Sequence, residues 1–173
     1  SQKDKQREAY HVDKEVNWLG HLVRPVDGDI SEMATNCHVV WKRDDDNGRW
    51  ICDFRPLNAV TVGRPSRTVD LWEAVRAIAA TRWKSVMDAW SGFTQMRASP
   101  RAQRLLQIIT SSGLFQWAVM PFGVRNGPAW FQGAMDDIFT DLVSNVLAAE
   151  MESVLKIFMD DFGMGTGDLQ QKD

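Results

Sequence analysis

One stretch, residues 154–163 (VLKIFMDDFG), constrains the fold of this chain more than any other. An apolar run (Val154, Leu155, Ile157, Phe158, Met159) leads into two adjacent carboxylates, Asp160 and Asp161. Phe162, Gly163, Met164 and Gly165 follow at once. The pattern predicts a strand, a tight turn and a return strand, with the acids at the turn. Neighbouring carboxylates repel, and burying either without a counter-charge is costly. Such a pair belongs either in a solvated turn or on a bound cation. Hard divalent ions such as Mg²⁺ take carboxylate oxygens, with substrate phosphates often completing the shell.

A second acid is delivered in the same way. In residues 83–93 (WKSVMDAWSGF), Val86 and Met87 lead into Asp88 just before a glycine-containing turn. If the two strands are neighbours in one sheet, Asp88 meets Asp160 and Asp161. Three acids so placed suit two metal ions about 4 Å apart, the arrangement used in nucleotidyl transfer.

Four segments in order, WICDFRPLN, VMDAWSGF, VMPFGVRNGPAWFQ and IFMDD, closely resemble the reverse transcriptase of gypsy-type long-terminal-repeat retrotransposons. The match runs from about Val39 to Gly167. The resemblance implies that Asp88 and Asp160 are the principal metal ligands and Asp161 a less direct third acid. It implies that the Ala89 carbonyl completes the shell of one ion. The cofactor is then a pair of Mg²⁺ ions, with Mn²⁺ as a substitute. Phe93 is implied to lie under the sugar of the incoming nucleotide, where its ring leaves no room for a 2′-hydroxyl. Phe122 and Gly123 border the same pocket, and Lys42 and Arg49 reach the triphosphate. Arg55, in DFRPLN, reads as structural. The implied partners are deoxynucleoside triphosphates and a primed RNA or DNA template.

Two departures from the family pattern stand out. The segment between Gln132 and Asp160 is several residues longer than usual, the surplus lying within SNVLAAEMES. The chain also ends twelve residues after Asp161, before the family's lysine motif, primer-gripping hairpin, thumb and ribonuclease H domain. The expectation is an excised piece, completed by those regions or by another chain. A rival reading is a polymerase-derived, non-catalytic module that binds nucleic acid or protein.

The chain is long enough for one domain or two small lobes, and its 44% apolar and 25% charged residues are ordinary globular values. No apolar run reaches the length of a membrane span and no basic-plus-apolar leader is visible, so the expected location is intracellular, cytoplasmic or nuclear. Cys37 and Cys52 are too few for a disulfide framework and are expected to be reduced, although they could face each other across a hairpin. The net charge of −3 is unevenly spread: residues 42–104 hold twelve Lys or Arg against seven Asp or Glu, and the rest is acidic. A basic middle suits phosphate contact, and equally an ordinary patchy surface.

Along the chain, residues 1–10 are polar and expected to fray, and an apolar stripe from Val12 to Val23 predicts a helix ended by Pro25. Residues 38–42 and 49–54 flank DDDNG as a hairpin. There Lys42, Arg43 and Arg49 either hold a triphosphate or balance Asp44, Asp45 and Asp46. Thr68 is read as the cap of a helix burying Leu71, Trp72, Val75, Ile78 and Ala79. Residues 105–110 and 114–120 form another hairpin, and Gly127-Pro128 opens a long helix with Trp130, Phe131, Met135, Ile138, Phe139, Leu142 and Val146 inward. The order predicts an α+β fold with an antiparallel sheet, as in a right-hand polymerase palm with fingers hairpins and no thumb. The fingers-like lobe is expected over residues 1–66 and 96–126, the palm-like lobe over 67–95 and 127–173.

Overall fold

The computed structural model describes residues 1–26, 28–43, 45–65, 70–148 and 153–168, without the side chains of residues 42, 45–47, 143, 146–148, 153 and 168. The architecture is α+β, as the element order predicts. Its contacts divide the chain into two units: residues 1–63 with 93–127, and residues 64–92 with 128–173.

The first unit is built on a five-stranded sheet of order β1-β6-β5-β2-β3. Its strands are β1 (Leu22–Val23), β2 (Thr35–Lys42), β3 (Asp45–Cys52), β5 (Gln107–Thr110) and β6 (Gly113–Trp117). Hairpins β2–β3 and β5–β6 are antiparallel, as expected. The two hairpins, however, join through a parallel pairing of Thr35 with Ile108 and Asn36 with Ile109. Alternation within each hairpin specifies the hairpin and says nothing about which edge it offers to the next. The core of this unit gathers Val12, Leu22, Phe54, Leu106, Ile108, Phe115, Trp117 and Val119.

Its helices correct two expectations. Residues expected to fray form α1 (Gln2–Asp13), which runs on into a π-turn over Lys14–Trp18. The Ser1 hydroxyl caps the helix by accepting from the Asp4 N–H. The polar face is held from outside: the Trp41 indole donates to Asp4 at 2.7 Å, the Ser111 hydroxyl to Glu8 at 2.6 Å, and His11 stacks on Trp50. Tertiary partners, which composition does not reveal, order this segment. A short helix α4 (Pro100–Leu105) also takes Leu105 out of the expected strand, with Ser99 as its cap and Pro100 at the first helical position. Helix α2 (Arg55–Val60) follows the β2–β3 hairpin.

The second unit is a three-stranded antiparallel sheet of order β4-β8-β7, made of β4 (Thr81–Asp88), β7 (Ser153–Phe158) and the central β8 (Asp161–Asp168). Helices α3 (Leu71–Ala79) and α5 (Gly127–Ala148) belong to its sequence span. Strand β8 reads DFGMGTGD, so alternation puts Gly163, Gly165 and Gly167 on one face. That bare face admits close neighbours: a Cβ on Gly163 would overlap the Ile78 side chain, and one on Gly165 would overlap Thr81. Phe162 packs edge-on against Phe139 of α5, ring centroids 5.1 Å apart.

Asp70, not Thr68, caps α3, accepting from the N–H groups of Trp72 and Glu73; Thr68 lies outside the described residues. The stripe expected to be buried is largely open, with Leu71, Trp72 and Val75 exposed and Ala74 buried instead. A helix seated through Ile78 against a narrow three-stranded sheet covers little of its own apolar surface. On α5, Phe131 is buried as expected, whereas Trp130, Ile138 and Leu142 are exposed, and the Arg64 guanidinium lies 4.4 Å over the Trp130 ring. Among the described residues, no helix is long and apolar enough to cross a membrane.

Candidate active site

The acids of the second unit are placed by strand register. Asp88, the last residue of β4, is the direct cross-strand partner of Asp161, the first residue of β8. Asp161 also faces Phe158 at the end of β7, so Met159 and Asp160 form a two-residue turn. The Asp160 carbonyl accepts from the Ala89 N–H at 2.7 Å, fastening the end of β4 to the turn. Four expected ligands, Asp88, Ala89, Asp160 and Asp161, therefore meet at one end of one sheet. The Ala89 carbonyl accepts from the Gly92 N–H, leaving one lone-pair direction open.

The turn is strained and braced. Met159 has φ of 53°, in the left-handed region where glycine is at ease and a larger side chain is not. Its N–H donates to the side-chain oxygen of Gln132 at 2.8 Å, and Gln132, 4% exposed, donates in turn to Asp136 at 2.8 Å. Sequence reasoning passed over Gln132. A lone glutamine on an apolar helix face carries no signal, although its place in the PAWFQ motif could have drawn attention to it. Asp136, one turn further along α5, orients the glutamine through that bond.

Directly opposed like charges are destabilising in a sheet, so the Asp88–Asp161 pairing invites a counter-ion. Among the described residues, no three His, Cys, Asp or Glu side chains stand close enough together to hold a metal ion as they are. Magnesium is held through one or two carboxylates, keeps several waters, and completes its shell with substrate phosphates. The hard-oxygen donor set and its backbone placement fit the ion.

The remaining expected residues lie in the first unit. Phe93 is the second residue of a 3₁₀ turn (Gly92–Gln95), and its ring lies 5.2 Å from that of Phe122, which is 62% exposed. Gly123 has φ of 91°. Its carbonyl accepts from the Asn58 side chain at 2.8 Å, while the Asn58 oxygen accepts from the Arg125 N–H at 2.7 Å. Asn58 thus grips the backbone on either side of Val124, just after Phe122, a role that sequence reasoning did not assign. Arg49 is exposed on β3 opposite Val40, and Lys42 pairs with Asp45 at the far end of the hairpin, beyond an irregularity after Val40. The Lys42 side chain and Asp44 lie outside the described residues. Arg55 forks onto Asp53, Nε to Oδ1 at 2.7 Å and Nη2 to Oδ2 at 2.6 Å. That agrees with the structural reading of Arg55. The guanidinium holds the Asp53 carboxyl down to about 2.

The profile of the family described as "Reverse transcriptase (RNA-dependent DNA polymerase)" matches residues 40–171. The chain is 26% identical over 128 residues to the retrovirus-related Pol polyprotein from transposon opus of Drosophila melanogaster, covering 72% of this chain and 13% of that one. It is 30% identical over 111 residues to a putative enzymatic polyprotein of cassava vein mosaic virus, covering 62% and 16%. Among solved structures, that of the foamy viral protease-reverse transcriptase dRH in complex with ds DNA superposes with a TM-score of 0.76 at 19% identity, over 98% of this chain and 27% of that one. A second foamy viral protease-reverse transcriptase, in complex with an RNA/DNA hybrid, gives 0.75 at 19% identity, over 95% and 20%. The chain therefore spans a small part of the length of its relatives.

Proposed function

We propose that this chain, which belongs to the reverse transcriptase (RNA-dependent DNA polymerase) family, carries the nucleotidyl-transfer centre of an RNA-directed DNA polymerase. The observation that carries the reading is the register setting Asp88 against Asp161, fastened by the Ala89–Asp160 hydrogen bond. Carboxylates brought to one strand end by two separate strands are what metal-assisted phosphoryl transfer requires. In this reading the first unit serves as fingers and the second as palm. The foamy viral relatives solved with ds DNA and with an RNA/DNA hybrid support a primed template as the partner.

In the reaction, a primer 3′-hydroxyl attacks the α-phosphate of a deoxynucleoside triphosphate and pyrophosphate leaves. Asp88, Asp160 and Asp161, with the Ala89 carbonyl, would hold two Mg²⁺ or Mn²⁺ ions, which when bound acidify the hydroxyl and neutralise charge on the phosphates. The chain's own contribution is positioning. The β4–β8 pairing fixes the acids, and Gln132 holds Met159 so that Asp160 cannot swing away. Phe93, backed by Phe122, bars the 2′-hydroxyl, and Lys42 and Arg49 attract the triphosphate.

The test is Mg²⁺-dependent extension of a DNA primer on an RNA template, with Asp160→Asn alongside. The parent chain is expected to extend, or at the least to bind triphosphate in a Mg²⁺-dependent way, and Asp160→Asn to abolish whichever is seen. Near-parental activity of the variant would overturn the assignment. Phe93→Ala is expected to admit ribonucleotides, and an unchanged sugar preference would remove that role from Phe93.

A further inference from the structure

Cys37, on β2, and Cys52, the last residue of β3, are direct cross-strand partners. The neighbouring pair is hydrogen-bonded, since the Asp53 N–H donates to the Asn36 carbonyl at 2.9 Å. In an antiparallel ladder the two kinds of pair alternate, so Cys37 and Cys52 form a non-hydrogen-bonded pair. There the Cα atoms approach to about 4.5 Å, within the roughly 4.4–6.8 Å that a disulfide spans. The side chains point at each other: the sulfurs are 3.0 Å apart, with the Cys37 thiol donating to Cys52. Both thiols are free and half-buried, packed against the core of the first unit.

We propose that Cys37 and Cys52 are a redox modification site, closing reversibly to a cross-strand disulfide with small-molecule disulfides such as oxidised glutathione. One cysteine thiolate attacks a glutathione sulfur, forming a mixed disulfide and releasing one glutathione, which takes up a proton. The facing cysteine then loses its proton and attacks the protein-side sulfur, expelling the second glutathione. Two protein thiols are oxidised by two electrons and one glutathione disulfide is reduced to two thiols. The bridge ties β2 to β3 beside the Asn36–Asp53 pair. The Cys37 thiol is pushed well up by its hydrogen bond to Cys52 and by burial, so closure is slow at neutral pH and quickens as pH rises. The site needs no part of the polymerase reading.

The purified chain is incubated in glutathione buffers of graded ratio, trapped with N-ethylmaleimide and weighed intact, folded and in urea. The expected product is a monomer lighter by two hydrogens, carrying no glutathione and no maleimide, and returned to two thiols by dithiothreitol. Folding and bridging are linked, so closure should be at least about tenfold more favourable in the folded chain than in urea. Cys37→Ser and Cys52→Ser, each with one thiol, should instead keep a stable glutathione adduct. A persistent adduct on the parent chain, disulfide-linked dimers, two unreacted thiols, or equal closure in urea would each overturn the proposal.

Discussion

Replacing Gly165 with alanine tests whether the bare face of β8 sets the sheet that carries the acids. Gly165 is buried at the centre of the unit, paired with Lys84 on one side and Val154 on the other. An added methyl would overlap Thr81 Oγ1 and come within 2.8 Å of Cγ2 and 3.0 Å of Cβ. Rotating Thr81 moves the first two atoms and leaves the third. Rotation also breaks the bond from the Thr81 hydroxyl to the Ile78 carbonyl, 2.6 Å long, at the end of α3. Overpacking costs about 1–3 kcal/mol and the lost buried hydrogen bond about 1 kcal/mol. Lower entropy of the unfolded chain returns about 0.4–1 kcal/mol. The net is about 2 kcal/mol, near a thirtyfold loss in the folding equilibrium at about 1.4 kcal/mol per tenfold. For a unit of this size the melting midpoint should fall by roughly 8–16 °C. Circular dichroism melts and urea titrations followed by tryptophan fluorescence measure it. The control is Gly133→Ala in α5, where nothing stands within 4 Å of the new methyl; there helix propensity should stabilise by up to about 1 kcal/mol. Adding Thr81→Ala to Gly165→Ala should recover part of the loss, because it removes both of the nearer atoms. If Gly165→Ala and Gly133→Ala shift the midpoint alike, or the Thr81 cycle shows no coupling, the close-approach argument is wrong.

Two further outcomes follow from the site and its surroundings. Gln132→Met should slow nucleotide addition by at least about tenfold, because the Met159 N–H loses its acceptor at a strained turn; an unchanged single-turnover rate would show that the turn holds without it. Asp53 should titrate near 2 and lend stability that is complete above its unfolded value of about 3.9 and is lost as pH falls from there through 2. Arg55→Ala should return the Asp53 midpoint, read by NMR, to the ordinary carboxylate range and erase that acid-side loss. A midpoint still near 2 in Arg55→Ala would place its cause elsewhere.

The site was legible where chemistry and local pattern coincide. Asp88 and the Asp160-Asp161 pair each follow an apolar run beside a turn, so local pattern alone puts them at or next to strand ends. What joined them is the β4–β8 register, and the return strand's bare positions at Gly163 and Gly165 admit Ile78 and Thr81, close neighbours that alternation does not name. The stripe on α3 misled because period 3.6 tells which residues share a face and not how much sheet there is to cover it. Leu71 and Val75 are aligned with Ile78 yet remain in solvent. Polar brackets were invisible for the opposite reason. Gln132 and Asn58 act on backbone groups distant in sequence, Met159 and Gly123, and nothing in a residue's own neighbourhood announces such a partner.

These brackets bear on how the proposed catalytic centre can be rigid in so small a sheet. An opposed acid pair is unfavourable without cations, and a left-handed methionine between strands adds strain of about 1–3 kcal/mol. Both costs fall on the same turn, so the turn should open unless something outside it holds. Three contacts do: the Ala89–Asp160 hydrogen bond, the Gln132–Met159 hydrogen bond, and the Phe139–Phe162 packing behind the strand. One comes from the residue after β4 and two from α5, a full turn or more apart along the helix, so a local change at one contact leaves the other two opposing it. The strain then works in favour of binding. A turn held together against its own charges gains most from the cations and phosphates that neutralise them, so divalent ions should stabilise the parent chain and stabilise Asp160→Asn far less. Equal stabilisation of the two by Mg²⁺ in thermal melts would mean that the charges at this turn are not what the ion relieves.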